Sequence, residues 1–406
     1  MTLNDLESRV RLLAAARHDD LYAQLAEHVA IPTGHGYAPG LDEYRNALAT
    51  RLTALGARID LVRGQARPAW LDPPGSPQAT PVPPTLVARS TDVSGGRRIL
   101  IVGHLDTVHD PHGAFNELTM AADGLTAVGP GAVDMKGGIV IAINALEVLA
   151  EAGAPTSWTF MLTSDEETGS FYSDAILAAE ARRHDVGIVL EPALPDGALA
   201  LQRSGSGQFM IEVFGRSAHA GREFTRGVSA VVALADVIGR LARLAVPEEG
   251  VIVNVGPLQG GRVTNTVPDH AACWGNVRYA DEARGTQLAA AIDALATGDG
   301  DALPRIEVHR HWNRPAKPAT DPVRRLADTA RATAEDLGDT LPFSSTGGVC
   351  DGNILQAHGL PTLDTLGVRG GNLHRTDEFV EVASLVQRCS LLAVLLLRLA
   401  MGEGGD

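Results

Sequence analysis

The chain is short of cysteine, of positive charge and of long apolar runs, and each shortage removes a class of protein. Only Cys273, Cys350 and Cys389 occur in 406 residues. An odd, widely spaced set argues against a disulfide framework and against a cysteine-type zinc site, and it suits a reducing compartment. Lysine and arginine number 34 against 49 acids, a formal net charge of −15. So acidic a chain is a poor binder of nucleic acid or anionic membrane. No stretch approaches the roughly 18 uncharged apolar residues of a membrane span. The first residues, Met1 to Glu7, carry early acids and no apolar core of signal-peptide length, so a cytoplasmic location is expected. Internal repeats are also missing, and no low-complexity tail precedes Gly402 to Asp406.

What remains is a globular composition, 45% hydrophobic and 20% charged, over a length that implies two domains. Helical spacing runs from Asp5 to Val29 and from Leu41 to Leu55, where Gly56 supplies a stop. A strand over Arg58–Val62 is followed by a proline-rich surface loop with Pro68, Pro73, Pro74, Pro77, Pro81, Pro83 and Pro84; strand pattern resumes at Thr85. Apolar runs at 98–102, 158–162 and 186–190 alternate with helices at 139–151 and 173–183. That alternation implies an α/β layer with a mixed, largely parallel sheet flanked by helices.

The pattern changes near Ser206. Strands at 208–214, 251–255, 270–279 and 305–310 interleave with helices at 228–244 and 287–295, which reads as a small inserted α+β sandwich. Helical pattern returns over 323–337 and 383–400. The expected division is 1–205 and 318–406 for one catalytic domain and 206–317 for the insertion.

Polar residues collect where the strands end. Thr163-Ser164-Asp165-Glu166-Glu167-Thr168-Gly169 places two adjacent carboxylates beyond an apolar run. One such group can hold a cation while its neighbour faces a water, the division that metal-assisted hydrolysis requires. Taken alone, the stretch reads more readily as a solvated acidic turn with Asp165 or Thr163 capping a helix, because acidic loops are common. Further along lie His104, Asp106, Asp134, Glu191 and His374. Two histidines with several carboxylates suit zinc, and less selectively cobalt or manganese.

The conjunction resembles a known family. Gly103-His104-Leu105-Asp106-Thr107-Val108, Gly131-Ala132-Val133-Asp134-Met135-Lys136-Gly137-Gly138, Asp165-Glu166-Glu167-Thr168-Gly169, Glu191-Pro192, Ser217-Ala218-His219-Ala220-Gly221 and His374-x-x-Asp377-Glu378 are similar to the motifs of the co-catalytic dizinc amidohydrolases. That family includes glutamate carboxypeptidases, which look nearest, with aminoacylases, acetylornithine deacetylase and succinyl-diaminopimelate desuccinylase. The resemblance implies two Zn²⁺ per subunit, with Co²⁺ or Mn²⁺ as alternatives. Asp134 would bridge them, His104 and Glu191 completing one site and Glu167 and His374 the other.

It further implies that Asp106 orients His104 and that Glu166 is the general base for a dizinc-bound hydroxide. The 206–317 unit would make a homodimer, in which His219 of one subunit serves the oxyanion of the other. The peptide after Asp134 is expected to be cis. Arg314 would hold the carboxylate of the leaving amino acid, with Asn265 near the substrate. Arg278 is a further substrate-binding candidate, although it reads more as a structural or dimer residue and at least as readily as a surface ion pair. The turn Ser345-Thr346-Gly347-Gly348 offers N–H groups to an anion. The chain departs from the family at Val349-Cys350-Asp351, where a hydroxyl is usual; Cys350 reads as a buried space-filler. His109, His112, His184, His309, His311 and His358 lack motif support and read as surface or structural.

The implied substrate is a small molecule or short peptide with a free carboxylate, cleaved at the amide of a C-terminal amino acid or N-acyl amino acid. Alternatives are a deacylase or desuccinylase of an amino-acid pathway, an inactive dimeric binding protein, and a two-metal phosphoesterase, which would want more cationic groups.

Overall fold

The computed structural model describes residues 3–402 except 35, 74, 76–80, 92–95, 155 and 298–301. Pro74, Pro77 and residues 403–406 therefore lie outside the described residues.

Six strands form the main sheet, in the order Arg58–Val62, Thr85–Arg89, Ser157–Thr163, Arg98–His104, Val186–Val189, Thr362–Leu363. The last four run parallel, and the first two are antiparallel additions at one edge. Burial on both faces explains why the central strands read as unbroken apolar runs. Ile99 and Ile101 pack towards helices Gly137–Glu151 and Val382–Ala400. Leu100 and Val102 turn the other way, towards Ile176, Leu177 and Ile354 on helices Asp174–Ala181 and Asp351–Ala357. The helix Val382–Ala400 is long and apolar enough to cross a membrane by composition, but 78% of its apolar window is buried inside the protein, so it serves as a core helix.

The single helix expected from Asp5 to Val29 is two, Asp5–Ala15 and His18–Ala30. No proline or glycine marks the break. Arg17 leaves helical geometry there, and its guanidinium reaches Asn144 Oδ1 at 3.0 Å and Glu147 Oε2 at 2.5 Å on the helix Gly137–Glu151. A tertiary contact thus decides where the helix stops.

A second, antiparallel sheet follows the order Ile252–Gly260, His270–Tyr279, Gly205–Phe214, Arg305–Arg314. Helices Ala230–Ala242 and Glu282–Asp293 cover one face and build a separate core around Phe209, Ile211, Leu234, Val277 and Ile292. The second helix begins earlier than its apolar spacing suggests, because Asp281 caps it by accepting from the Arg284 N–H at 2.9 Å. The last strand runs on to Arg314, past the expected end at Arg310. Arg278 and Arg314 consequently flank Ser206 on the two neighbouring strands.

Candidate metal centre

Parallel strands end at a common edge, which is where open α/β sheets bind their ligands. His104 is the last residue of its strand, in register with Thr163, and the acidic loop 165–167 follows directly. Glu191 lies two residues beyond Val189 on the adjoining strand. Asp134 arrives from a tight turn. Gly131 sits there at φ 67°, and a Cβ on it would meet Thr107 Cγ2 at 2.6 Å, so only glycine serves. The peptide Asp134–Met135 is cis, as expected.

Glu378 fixes that turn. Its buried carboxylate accepts from the N–H groups of Gly131 at 3.1 Å, Val133 at 2.9 Å and Asp134 at 3.1 Å, and contacts His109 Nε2 at 2.6 Å. The structural reading of His109 fits this contact. Glu378 had no role assigned from sequence; an acid four residues after a candidate ligand was the only hint.

Asp134 presents its two oxygens to two donor groups. Oδ1 lies 3.2 Å from His104 Nε2, which is 3.9 Å from Glu191 Oε1. Oδ2 lies 3.5 Å from His374 Nε2, itself 3.4 Å from Glu167 Oε2. His104–Asp134–Glu191 and Asp134–Glu167–His374 each bring three ligand atoms close enough to hold one cation. The first group is buried. The second opens to solvent at His374, whose side chain is 53% exposed and whose backbone sits at φ 65°.

The electrostatics favour cations here. Burial pushes the Glu191 carboxyl well up, helped by Glu166 and Asp134, and its Oε1 has no hydrogen-bond partner among the described residues. Hydrogen bonds to Asp134 and Glu167 raise His374 to about 10. Burial pushes Asp134 up, but bonds from His104 and His374 outweigh it and hold its carboxyl below the usual range.

Asp106 does more than face the imidazole. His104 Nδ1 lies 2.9 Å from the Asp106 backbone oxygen but 3.6 Å from its carboxylate. The carboxylate instead accepts the N–H groups of Glu166 at 3.2 Å and Glu167 at 2.9 Å, and so sets the acidic loop. Asp165 caps nothing in its own turn; it accepts from Tyr172 N–H at 2.7 Å ahead of the next helix.

A cavity of about 420 Å³ adjoins the site, with Glu166, Arg203, Arg278, Arg314, Gly348 and Leu373 in its wall. Arg314 is buried and already engaged, with Nη2 2.7 Å from Glu166 Oε1 and 2.6 Å from Ser170 Oγ. Burial raises the Glu166 carboxyl, and Arg314 pulls against that rise. Arg203 is held in a two-pronged pair by Asp364, at 2.5 and 3.0 Å.

Arg278 corrects the surface ion-pair reading. It faces this cavity, and its buried Nη1 has no hydrogen-bond partner among the described residues. Gly348 gives its N–H to Thr346 Oγ1 at 3.3 Å, so that donor is already taken. His219 and Asn265 lie outside the cavity on an exposed ribbon, where Ala218–His219 pairs with Thr266–Val267. Cys350 is fully buried at the start of the helix Asp351–Ala357, with Sγ 3.2 Å from Asp364 Oδ2. A second hollow, of about 430 Å³ at Arg58, Arg89, Arg98 and Arg183, has its arginines paired with Asp60, Glu180 and Asp185.

The chain is similar to several known proteins. Carboxypeptidase G2 of Pseudomonas sp. is 28% identical over 387 residues, 93% of this chain and 89% of that protein. A succinyl-diaminopimelate desuccinylase of Methylobacterium radiotolerans is 30% identical over 353 residues, covering 80% and 88%. The crystal structure of a dinuclear metal-binding peptidase from Bacillus subtilis superposes with a TM-score of 0.64 at 16% identity, covering 95% of this chain and 99% of that one. Residues 100–398 match the model of peptidase family M20/M25/M40. The chain belongs to that family and is one of its hydrolases.

Proposed function

We infer that the protein is a two-metal exopeptidase or amidohydrolase that releases an amino acid bearing a free carboxylate. The observation that carries this is Asp134, whose two oxygens each face a separate His-plus-carboxylate group. His104, Asp134 and Glu191 would hold one ion, and Asp134, Glu167 and His374 the other; the donor set suits Zn²⁺. Bound there, the ions would supply Lewis acidity to an amide carbonyl and to a water.

The chain's own groups do the rest. Glu166, buried and raised in proton affinity, takes a proton from the attacking water and returns it to the leaving nitrogen. Arg314 fixes the Glu166 carboxylate through Oε1. Arg278, on the cavity wall with an Nη1 that has no hydrogen-bond partner among the described residues, grips the substrate carboxylate. His219 and Asn265 act on the substrate from a second copy of the chain. The edge strand Ile252–Gly260, with Ile252 and Leu258 exposed, offers the surface for that pairing.

A panel of N-acyl amino acids and C-terminal glutamyl peptides tests this, assayed before and after chelation and after Zn²⁺ or Co²⁺ is restored. Release of a free amino acid that stops with chelator and returns with metal is expected; release indifferent to chelator would defeat the reading. The likeness to a desuccinylase makes N-succinyl amino acids the second arm of the panel.

A further inference from the structure

The open face of the four-stranded sheet carries a cluster that the catalytic reading does not use. Glu212 and Glu307 stand directly opposite each other on adjacent strands. Like charges in that position destabilise a sheet pair unless something positive joins them. Each carboxylate has one oxygen engaged: Glu212 Oε1 lies 2.7 Å from His270 Nε2, and Glu307 Oε1 is in contact with Arg305. The other two oxygens point to the same atom. His309 Nε2 is 3.9 Å from Glu212 Oε2 and 3.9 Å from Glu307 Oε2.

That spacing is too long for a hydrogen bond. Nε2 is shielded from water and has no partner among the described residues, although the side chain as a whole is 35% exposed. With metal–ligand bonds near 2.0–2.2 Å, two atoms on one tetrahedral zinc lie about 3.3 Å apart. The two distances to His309 Nε2 need contract by only roughly half an ångström, and the three ligand atoms all lie within 4.8 Å of one another, within reach of two glutamate side chains. We propose that Glu212, Glu307 and His309 form a further site for a divalent transition-metal ion of the zinc class, separate from the Asp134 centre.

In this site His270 orients Glu212 from outside, as hydrogen-bonded partners of metal ligands do, and Arg305 does the same for Glu307. The ion joins neighbouring strands beneath Trp70, whose ring centroid lies 6.2 Å from that of His309 and whose carbonyl accepts from Trp274 Nε1 at 2.6 Å. Trp70 comes from the main domain's proline-rich segment, so the site lies where that segment rests on the second sheet.

The test uses full-length protein stripped with chelator, dialysed against Zn²⁺ alone and analysed for bound metal. His309→Ala and Glu307→Gln should each retain one ion fewer than the unsubstituted chain, with amide hydrolysis unchanged. Asp134→Asn should keep this ion, so the result does not depend on the two-metal reading of the other site. Added Co²⁺ should quench Trp70 fluorescence in the unsubstituted chain and not in His309→Ala. His270→Ala should weaken binding roughly tenfold. Equal metal content in the unsubstituted chain, His309→Ala and Glu307→Gln would overturn the proposal.

Discussion

The two sheets supply opposite charges to one cavity. From the ends of the parallel strands come carboxylates and an imidazole: His104, Glu166, Glu167 and Glu191. From the antiparallel sheet come guanidiniums, Arg278 and Arg314. A parallel sheet brings its strand ends together at one edge and so concentrates metal-binding groups. An antiparallel sheet instead sets side chains from neighbouring strands abreast, which places two arginines beside Ser206. In this reading the first sheet performs the chemistry and the second chooses what is held.

Substitutions on either side separate those roles. Asp134→Asn should have the largest effect, removing the carboxylate common to both donor groups; metal analysis should show loss of both ions and activity should fall to background. Glu166→Gln should leave metal content unchanged and lower kcat by roughly 10²–10⁴, the usual contribution of a positioned acid–base group. Retained turnover in that variant would mean the proton goes elsewhere.

Across the cavity, Arg278→Ala should raise KM by about 10–100-fold with kcat little changed, since a hydrogen bond to a charged group is worth about 1.5–3 kcal/mol. If kcat fell instead, the division between the sheets would fail. The smallest effect at neutral pH lies away from both arginines. Burial, with Arg51 and Lys136 nearby, lowers His28 to about 3. Between that value and about 6.5 the unfolded chain binds the extra proton, so stability is full above about 6.5 and declines as pH falls towards 3. Thermal unfolding at stepped pH should show that decline, and His28→Gln should flatten it.

The sequence made the first sheet easy to read and the second hard. Ile99 to Val102 and Trp158 to Leu162 announce buried strands because nothing polar interrupts them, and the ligands follow within a few residues of each strand end. The position of Arg278 on the cavity wall was hidden because it depends on pairing across three strands far apart in the chain. Register is set by packing, and a slip of one residue would turn that side chain to the other face. The break at Arg17 was unreadable for a related reason, since its partners Asn144 and Glu147 are more than a hundred positions away. Cys350 could be read as buried space-filling, but its contact with Asp364 depends on a turn that no local pattern announces.

Glu378 collects three amide protons from the turn that carries Asp134, and His374 is its near neighbour. During synthesis, the ribosome must therefore have passed His374 and Glu378 before that turn can acquire its anchor or the proposed outer ion its imidazole. On the proposed reading, a translation product halted after the second sheet already holds the arginines and most of the acids but should be inert.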